Sequence, residues 1–366
     1  MSAFLVLAAT KARDSNGGFY LENRTKSLQL SYLDVDGRQH FLYARRIQDQ
    51  SHVHDANGRL ESHGLYDSVL RRRGWVLQEQ VLARRTLSFA KDEMLWGCRE
   101  CSTCECRIGF SNFESEAISP SREVYKDIYS NWYIMLEAYS HRPLTYQIDK
   151  LPAISGIAKL LHDMTQDGYY AGLWRSQLPG ALLWTSKKDN NEYTESEKCM
   201  PSWSWASIRS GGITYDHKDE KFKAGTEIVS VDIQLSGSNA FGGVLGGYKR
   251  IAMFGINLHH GFQGEKGTLK RIMILVDLDQ NYYDQNKPTE SAIEVKKNIS
   301  LFLMFVGTRT LTQYAETPSF LALRYLEEDE RGNSIFMRAG IAALNGWSTH
   351  LLDRVRAATK ESIVLI

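Results

Sequence analysis

Four of the five cysteines fall within nine residues, as Cys98-x2-Cys101-x2-Cys104-x-Cys106. Thiolates are soft ligands, and four of them folded back on one another would give Zn2+ its tetrahedron. A structural zinc site ordinarily joins two separated ligand pairs. This cluster has no second arm, so Cys199 or a histidine would have to replace one ligand. Two other readings fit the same spacing: redox-reactive thiols, or ordinary cysteines in a strand-to-loop segment. An odd number of cysteines crowded in this way is not a disulfide framework, which leads us to expect a cytoplasmic chain.

The other chemistry-bearing residues form weaker groups. His52-x-His54-Asp55 with His63 is a second set of metal-type ligands, but Gln48 to Ser62 is polar and turn-rich, as a solvated loop is. His259-His260 ends a strand-like run without a placed partner, and His162 falls near a helix end, where a cation meets the helix dipole favourably. In Gly242-Gly-Val-Leu-Gly-Gly-Tyr-Lys249 the lysine comes one residue too late for a phosphate-cradling loop, and no Ser or Thr follows it. No dinucleotide-binding, zinc-protease, nucleophile-elbow or kinase motif is present. Arg71-Arg-Arg73 with Arg84-Arg85 makes a basic spot. It would suit a phosphate-bearing ligand or an acidic partner, and equally an exposed helix start. The acidic run Glu327-Glu-Asp-Glu330 reads as a solvated turn.

The elements that must position these residues belong to a globular chain. Its 366 residues suggest two or three domains at about 150 residues each, and 43% hydrophobic residues supply ample core. Forty-four basic residues against 43 acidic ones give a formal charge of +1. Phosphate neutralisation calls for a larger basic excess, so no nucleic-acid partner is expected. No run of about 20 apolar residues exists, so no membrane partner is expected either. On that basis the sequons at Asn23 and Asn298 carry no weight.

Ser2 to Thr10 is apolar on both faces and reads as a buried, central strand lacking one neighbour. Leu28-Gln-Leu-Ser-Tyr32 alternates as a half-exposed strand does. Leu65 to Leu82 reads as helix interrupted at Gly74, and Thr86 to Phe89 as a short strand. Val124, Ile128, Trp132, Met135, Leu136 and Tyr139 recur at helical steps, and Arg142-Pro143 ends that helix. A second helix starts at Leu151 with Pro152 in its first turn, buries Ile154, Ile157, Ala158 and Leu161, and stops at Asp167-Gly168. From about residue 211 strand-like runs dominate: 228–235, 250–258, 269–278, 299–306, 320–326, 334–341 and 362–366, with one late helix around Leu351 to Ala358. The expectation is an α+β chain: a partial α/β N-terminal region (1–97), a helical, Trp-rich middle (98–210) and a β-rich antiparallel C-terminal region (211–366).

One segment is more specific than any generic motif: Arg73-Gly-Trp-Val-Leu-Gln-Glu79, followed by Leu82, Arg85, Thr86 and Leu87. It resembles the signature at the C-terminal edge of the fungal heterokaryon-incompatibility (HET) domain. Leu7 to Phe19 and Leu95 to Glu100 resemble the segments on either side of that signature. Further on, Tyr139-Ser140, Asp149-Lys150-Leu-Pro-Ala-Ile-Ser-Gly-Ile-Ala158, Tyr170-Ala-Gly-Leu-Trp174, Leu182-Leu-Trp184 and Pro201-Ser-Trp-Ser-Trp-Ala-Ser207 resemble the region that follows the domain. By its own chemistry the first segment sets Trp75 and Glu79 one helical turn apart. Trp75 and Leu82 suit packing, while Arg73, Gln78 and Glu79 are candidates for a ligand pocket, a cap or an ion pair. In an extended Trp203-Ser-Trp205 the two indoles share one side, each N–H seeking an acceptor.

The family's upstream aromatic-Ser-Tyr-x-Trp-Gly element is not in this sequence, nor is the segment with Trp, Asp and Glu that precedes an Ile-Tyr-x-x-Ala stretch. The resemblance therefore implies an N-terminally truncated HET domain. It further implies a self/non-self recognition protein, non-catalytic in this form, that binds a protein partner. Two alternatives stand beside that one. The first is an effector similar to Toll/interleukin-receptor-type domains, cleaving NAD with the help of upstream residues. The second is a zinc-stabilised interaction module resting on Cys98, Cys101, Cys104 and Cys106.

Overall fold

The computed structural model describes residues 3–14, 16–19, 28–44, 53–54, 60–61, 69–90, 94–98, 102–104, 128–186, 200–208, 212–215, 221–258, 272–276, 301–312, 315–344, 355 and 357–366. The chain divides into two compact units, Met1–Asp127 and Ile128–Ile366. The architecture is mixed α+β: a small N-terminal mixed sheet, helices in the middle and a large, mostly antiparallel C-terminal sheet.

The first unit holds β1 (Val6–Ala8), β2 (Leu28–Leu33), β3 (Gln39–Ala44) and the short ladder β4 (Val53–His54) with β5 (Leu60–Glu61). Then follow α1 (Val69–Arg72), α2 (Gly74–Leu82), β6 (Arg85–Phe89), β7 (Met94–Cys98) and β8 (Ser102–Cys104). The sheet order is β1-β6-β7-β8, with β1 parallel to β6 and the rest antiparallel. A parallel pair needs a crossover, and α1 and α2 lie in it. The helical run breaks at Arg73, whose φ of −73° and ψ of 135° are extended. Beyond β1, Thr10 donates from Oγ1 to the Phe89 carbonyl at 2.7 Å, and the Lys11 amide donates to the same oxygen at 3.1 Å.

The strand expected at Ser2 to Thr10 is therefore shorter. It lies at the edge of the described sheet, and it is not buried: Leu7 is 51% exposed. Among the described residues β6 is its one neighbour, so the far edge lacks the neighbour the sequence expects it to lack, and it is the expected burial that is not met.

The second unit begins with α3 (Ile128–Ser140), which buries Trp132, Tyr133, Met135, Leu136 and Tyr139. A 3-10 turn at Pro152–Ile154 leads into α4 (Ser155–Thr165), which buries Ile157, Ala158 and Leu161. Lys159 and Asp163 form an exposed i,i+4 pair at 3.0 Å on the opposite side. The helix stops at Gln166, a left-handed residue with φ of 57°, rather than at Asp167-Gly168. Asp167 instead accepts from Ser176 Oγ at 2.6 Å and from Tyr129 OH at 2.8 Å. Two short ladders follow, β9 (Tyr169–Tyr170) with β10 (Leu173–Trp174) and β11 (Thr185–Ser186) with β12 (Ile213–Thr214).

The large sheet comprises β13 (Lys221–Ala224), β14 (Glu227–Leu235), β15 (Val244–Leu258), β16 (Ile272–Val276), β17 (Leu301–Thr312), β18 (Ala315–Glu328), β19 (Ser334–Leu344) and β20 (Lys360–Leu365). Its order is β13-β17-β18-β19-β20-β15-β14, with β16 on β19 and β20 parallel to β19. A further pairing, Asn257 with Met304 and Leu258 with Leu303, joins β15 to β17. Strands β15, β17, β18, β19 and β20 thus close into a ring. Closure turns one face of the ring inward, and its strands are buried on both faces, with Met304, Leu321, Phe320 and Ala322 among the covered residues. Of the late helix, Leu351 and Leu352 lie outside the described residues, while Val355 is buried.

Candidate functional site

The Trp-rich segments form the core of the second unit. Trp132, Trp174, Trp184, Trp203 and Trp205 are all buried. Trp203-Ser-Trp205 forms no strand; Ser204, itself extended at φ −83° and ψ 137°, caps a 3-10 helix at Trp205–Ser207, its Oγ accepting from the Ala206 amide at 3.1 Å. That turn lets Ser204 Oγ donate to the Ala171 carbonyl at 2.6 Å and Trp205 Nε1 to the Gly172 carbonyl at 3.0 Å. Gly172 has a φ of +95°, and a Cβ there would lie 2.4 Å from Trp205 Nε1, so only glycine fits. Arg338 on β19 is buried and stacks 3.5 Å over the Trp184 ring. Its Nε donates to the Leu182 carbonyl at 3.1 Å and its Nη2 to the Trp184 carbonyl. A buried guanidinium held by backbone carbonyls fastens the closed sheet to the aromatic core, and this arrangement is a structural clamp.

Lys150 is the buried lysine of this core, 8% exposed, and burial pushes its ammonium down to about 8. Its carbonyl accepts from Tyr139 OH at 2.7 Å. Burial likewise pushes the hydroxyls of Tyr139, Tyr169 and Tyr215 upward, so they stay protonated through the neutral range. Among the described residues the indole N–H groups of Trp132 and Trp174 and the Tyr169 hydroxyl, all buried, have no hydrogen-bond partner. They lie within edge-on ring contacts, Trp132–Trp174 at 5.5 Å and Tyr169–Trp174 at 5.0 Å. Edge-on geometry aims ring edges at π faces, a weak but recurring compensation.

The residues singled out in the first unit that the structure describes lie on or beside α2, β6, β7 and β8. Arg73 is the exposed residue before α2, Gln78 is half-buried and Glu79 is exposed, its carbonyl accepting from the Ala83 amide at 3.1 Å. Packing on α2 falls to Val76 and Leu77 rather than to Trp75, which is 41% exposed, and Leu82 is half-buried. Arg84 is exposed, and Arg85 is half-buried and stacks over Phe4 at 4.3 Å. Cys98 ends β7, half-buried. Cys104 is in register with Leu95, and Leu95 and Cys98, an odd step apart on β7, point to opposite faces of the sheet. Cys101 and Cys106 lie outside the described residues, as do Cys199, His52, Asp55 and His63. Among the described residues no group of three or more His, Cys, Asp or Glu is placed to hold a metal.

One surface in the first unit is different in kind. β2 and β3 form a two-stranded antiparallel sheet, in unbroken register from Leu28 opposite Ala44 to Leu33 opposite Gln39. The five-residue loop Asp34–Arg38 is built by one carboxylate. Asp34 Oδ1 accepts from the Asp36 amide at 2.9 Å and the Arg38 amide at 2.8 Å, and Gly37 takes the positive φ of +74°. Asp34 Oδ2 meets His40 Nε2 at 2.7 Å, and His40 stacks on Tyr32. The His40 contact, and next the Arg38 and Asp36 amides, hold the Asp34 carboxyl below the usual range.

Above this loop Leu28, Leu30, Tyr32, Leu33, Phe41 and Leu42 are each between 47% and 67% exposed. Leu28, Leu30 and Tyr32 share one face of β2, and Leu42 lies opposite Leu30. The sequence signalled β2 as half-exposed but missed β3. The clue was Asp36-Gly37 between two alternating runs, a hairpin signal. The hairpin thus exposes apolar side chains on both of its faces.

No family model matches this chain, and neither a curated protein nor a solved structure does.

Proposed function

We propose that the chain is a heterokaryon-incompatibility-type protein of the cytoplasm, acting in self/non-self recognition by binding a protein partner rather than by turnover. The resemblance of Arg73 to Glu79, and of the segments from Tyr139 to Ser207, supplies the biological setting. The observation that carries partner binding is the uncharged, outward-facing apolar side chains of the β2–β3 hairpin. The residues of the second resemblance region that can be followed in the structure support the reading in another way. Trp174, Trp184, Trp203, Trp205, Ile154 and Ala158 build a core, which is a scaffold's task and not a catalyst's.

The test is expression of the chain in a filamentous fungus, scoring growth arrest after hyphal fusion. A response that disappears in the Leu30→Lys/Leu42→Lys double variant, with far-UV circular dichroism unchanged, is the expected result. A double variant as potent as the parent would sink the assignment of the hairpin. Absence of any response to the parent chain would sink the incompatibility reading itself.

A further inference from the structure

We infer that Lys150 is a site of reversible carbamylation, its side-chain amine taking up dissolved carbon dioxide. Two independent observations point there, and the first is an amine without a counter-charge. The Lys150 amide donates to the Gln147 carbonyl at 3.1 Å, and its own carbonyl accepts from Tyr139 OH at 2.7 Å. Leu151, Ala153 and Ile154, which follow it, are fully buried, so the backbone is pinned and the side chain stays in the core. Buried lysines are ordinarily paired. Among the described residues no ion pair or hydrogen bond meets this Nζ, and burial alone acts on its charge. An ammonium in such a place gives up its proton readily and becomes a nucleophile.

The second observation is a shortage of acceptors in the same core. Trp132 Nε1, Trp174 Nε1 and Tyr169 OH are buried donors with no acceptor among the described residues. Their three rings pack edge-on, with centroids 5.0 to 6.2 Å apart. Tyr169 is near enough to Tyr139, the residue that holds the Lys150 carbonyl, for the two hydroxyls to interact electrostatically. Buried donors left unmade cost free energy until an acceptor arrives. A carbamate on Nζ answers both observations, because it removes the unpaired cation and brings two acceptor oxygens into a core rich in donors. Carbon dioxide is also small, which suits an amine that is 8% exposed.

The step balances without a redox partner. The lone pair of neutral Nζ attacks the carbon of CO2 and an N–C bond forms. One C=O electron pair moves onto oxygen, and the nitrogen's surplus proton leaves to water. At pH 8 about half of the Lys150 amine is neutral, roughly a hundredfold more than for an ordinary lysine. Nucleophilicity falls with basicity, as it does for thiols, and that leaves an advantage of about tenfold.

The experiment traps carbamates on the folded, full chain in bicarbonate at pH 8 with a trialkyloxonium salt, which esterifies them, and maps the esters by peptide mass spectrometry. The chain's α-amine also forms a carbamate and serves as the internal control. Lys150 should carry the ester at least about tenfold more often than any other lysine, following its larger share of neutral amine. Trapping after unfolding in urea should abolish that preference. Bicarbonate, and not chloride at equal ionic strength, should raise the unfolding midpoint of the parent, since a group bound only by the folded chain stabilises it. The Lys150→Met variant should lose that rise. Mapping is done on the parent, so it stands even if the variant fails to fold. An ester on the α-amine with none on Lys150, or a bicarbonate stabilisation that persists in Lys150→Met, overturns the inference.

Discussion

Single residues set the tightest constraints in the second unit. Gly172 admits Trp205 because it has no Cβ, and Arg338 replaces water with the carbonyls of Leu182 and Trp184. Lys150 is different, since burial opposes its charge and pushes it down to about 8 from an ordinary value near 10.5. A folded-state value below the unfolded one means that the folded chain binds fewer protons between the two. Stability therefore rises with pH across the window from about 8 to 10.5, by up to about 2 kcal/mol near pH 9.5. Above about pH 10 the buried tyrosines act in reverse, because only the unfolded chain ionises them readily. Urea titrations at pH 7 and 9.5 should show the rise in the parent chain. In Lys150→Met the rise should vanish and the pH 7 stability should increase. Equal pH dependence in both proteins would show that Lys150 is not the group responsible.

At the scale of elements, the hairpin depends on its loop more than on packing. Two backbone amides and an imidazole converge on Asp34, so this one carboxylate holds five loop residues and the register of both strands. Its folded-state value is depressed, so its contribution is present above the ordinary carboxylate range and is lost as the pH falls below that range and through the lowered value. Amide hydrogen exchange over residues 28–44 should accelerate in Asp34→Ala at neutral pH, and in the parent only under acid. Unchanged protection in Asp34→Ala would mean that the cross-strand pairs alone hold the ladder. α4 shows the opposite balance. Its apolar stripe of Ile157, Ala158 and Leu161 fixes the helix from one side, and the Lys159–Asp163 pair outside adds only a few tenths of a kcal/mol.

At the scale of the molecule, the chain is two compact units with unequal cores. The second contains the five fully buried tryptophans together with the closed ring of strands, whereas Trp75 in the first is largely exposed. Both features are built from residues of the second unit. The segment Ile128–Ile366 expressed alone should fold, with blue-shifted tryptophan emission and a cooperative unfolding transition. A red-shifted, non-cooperative product would show that the second unit depends on the first.

Much of this was legible without coordinates. The three- and four-residue spacing of Trp132, Met135, Leu136 and Tyr139, and of Ile157, Ala158 and Leu161, fixes two helices, because periodicity is a local property of the chain. The strands from 227 onward were equally visible as apolar runs between turn residues, and α+β followed from that order. The candidate site was legible only in half: β2 alternates, but its partner β3 hides behind an Asp-Gly turn that only pairing makes meaningful. What only the tertiary structure decided are the long-range choices. Those are β1 at an edge with Leu7 exposed, Trp75 turned outward while Val76 and Leu77 pack, β15 reaching β17 to close the ring, and Arg338 meeting Trp184 more than 150 residues away in sequence. Hydrophobicity says that a side chain gains by leaving water. It does not say which of several apolar residues finds a neighbour, because that depends on how distant segments share a limited buried surface.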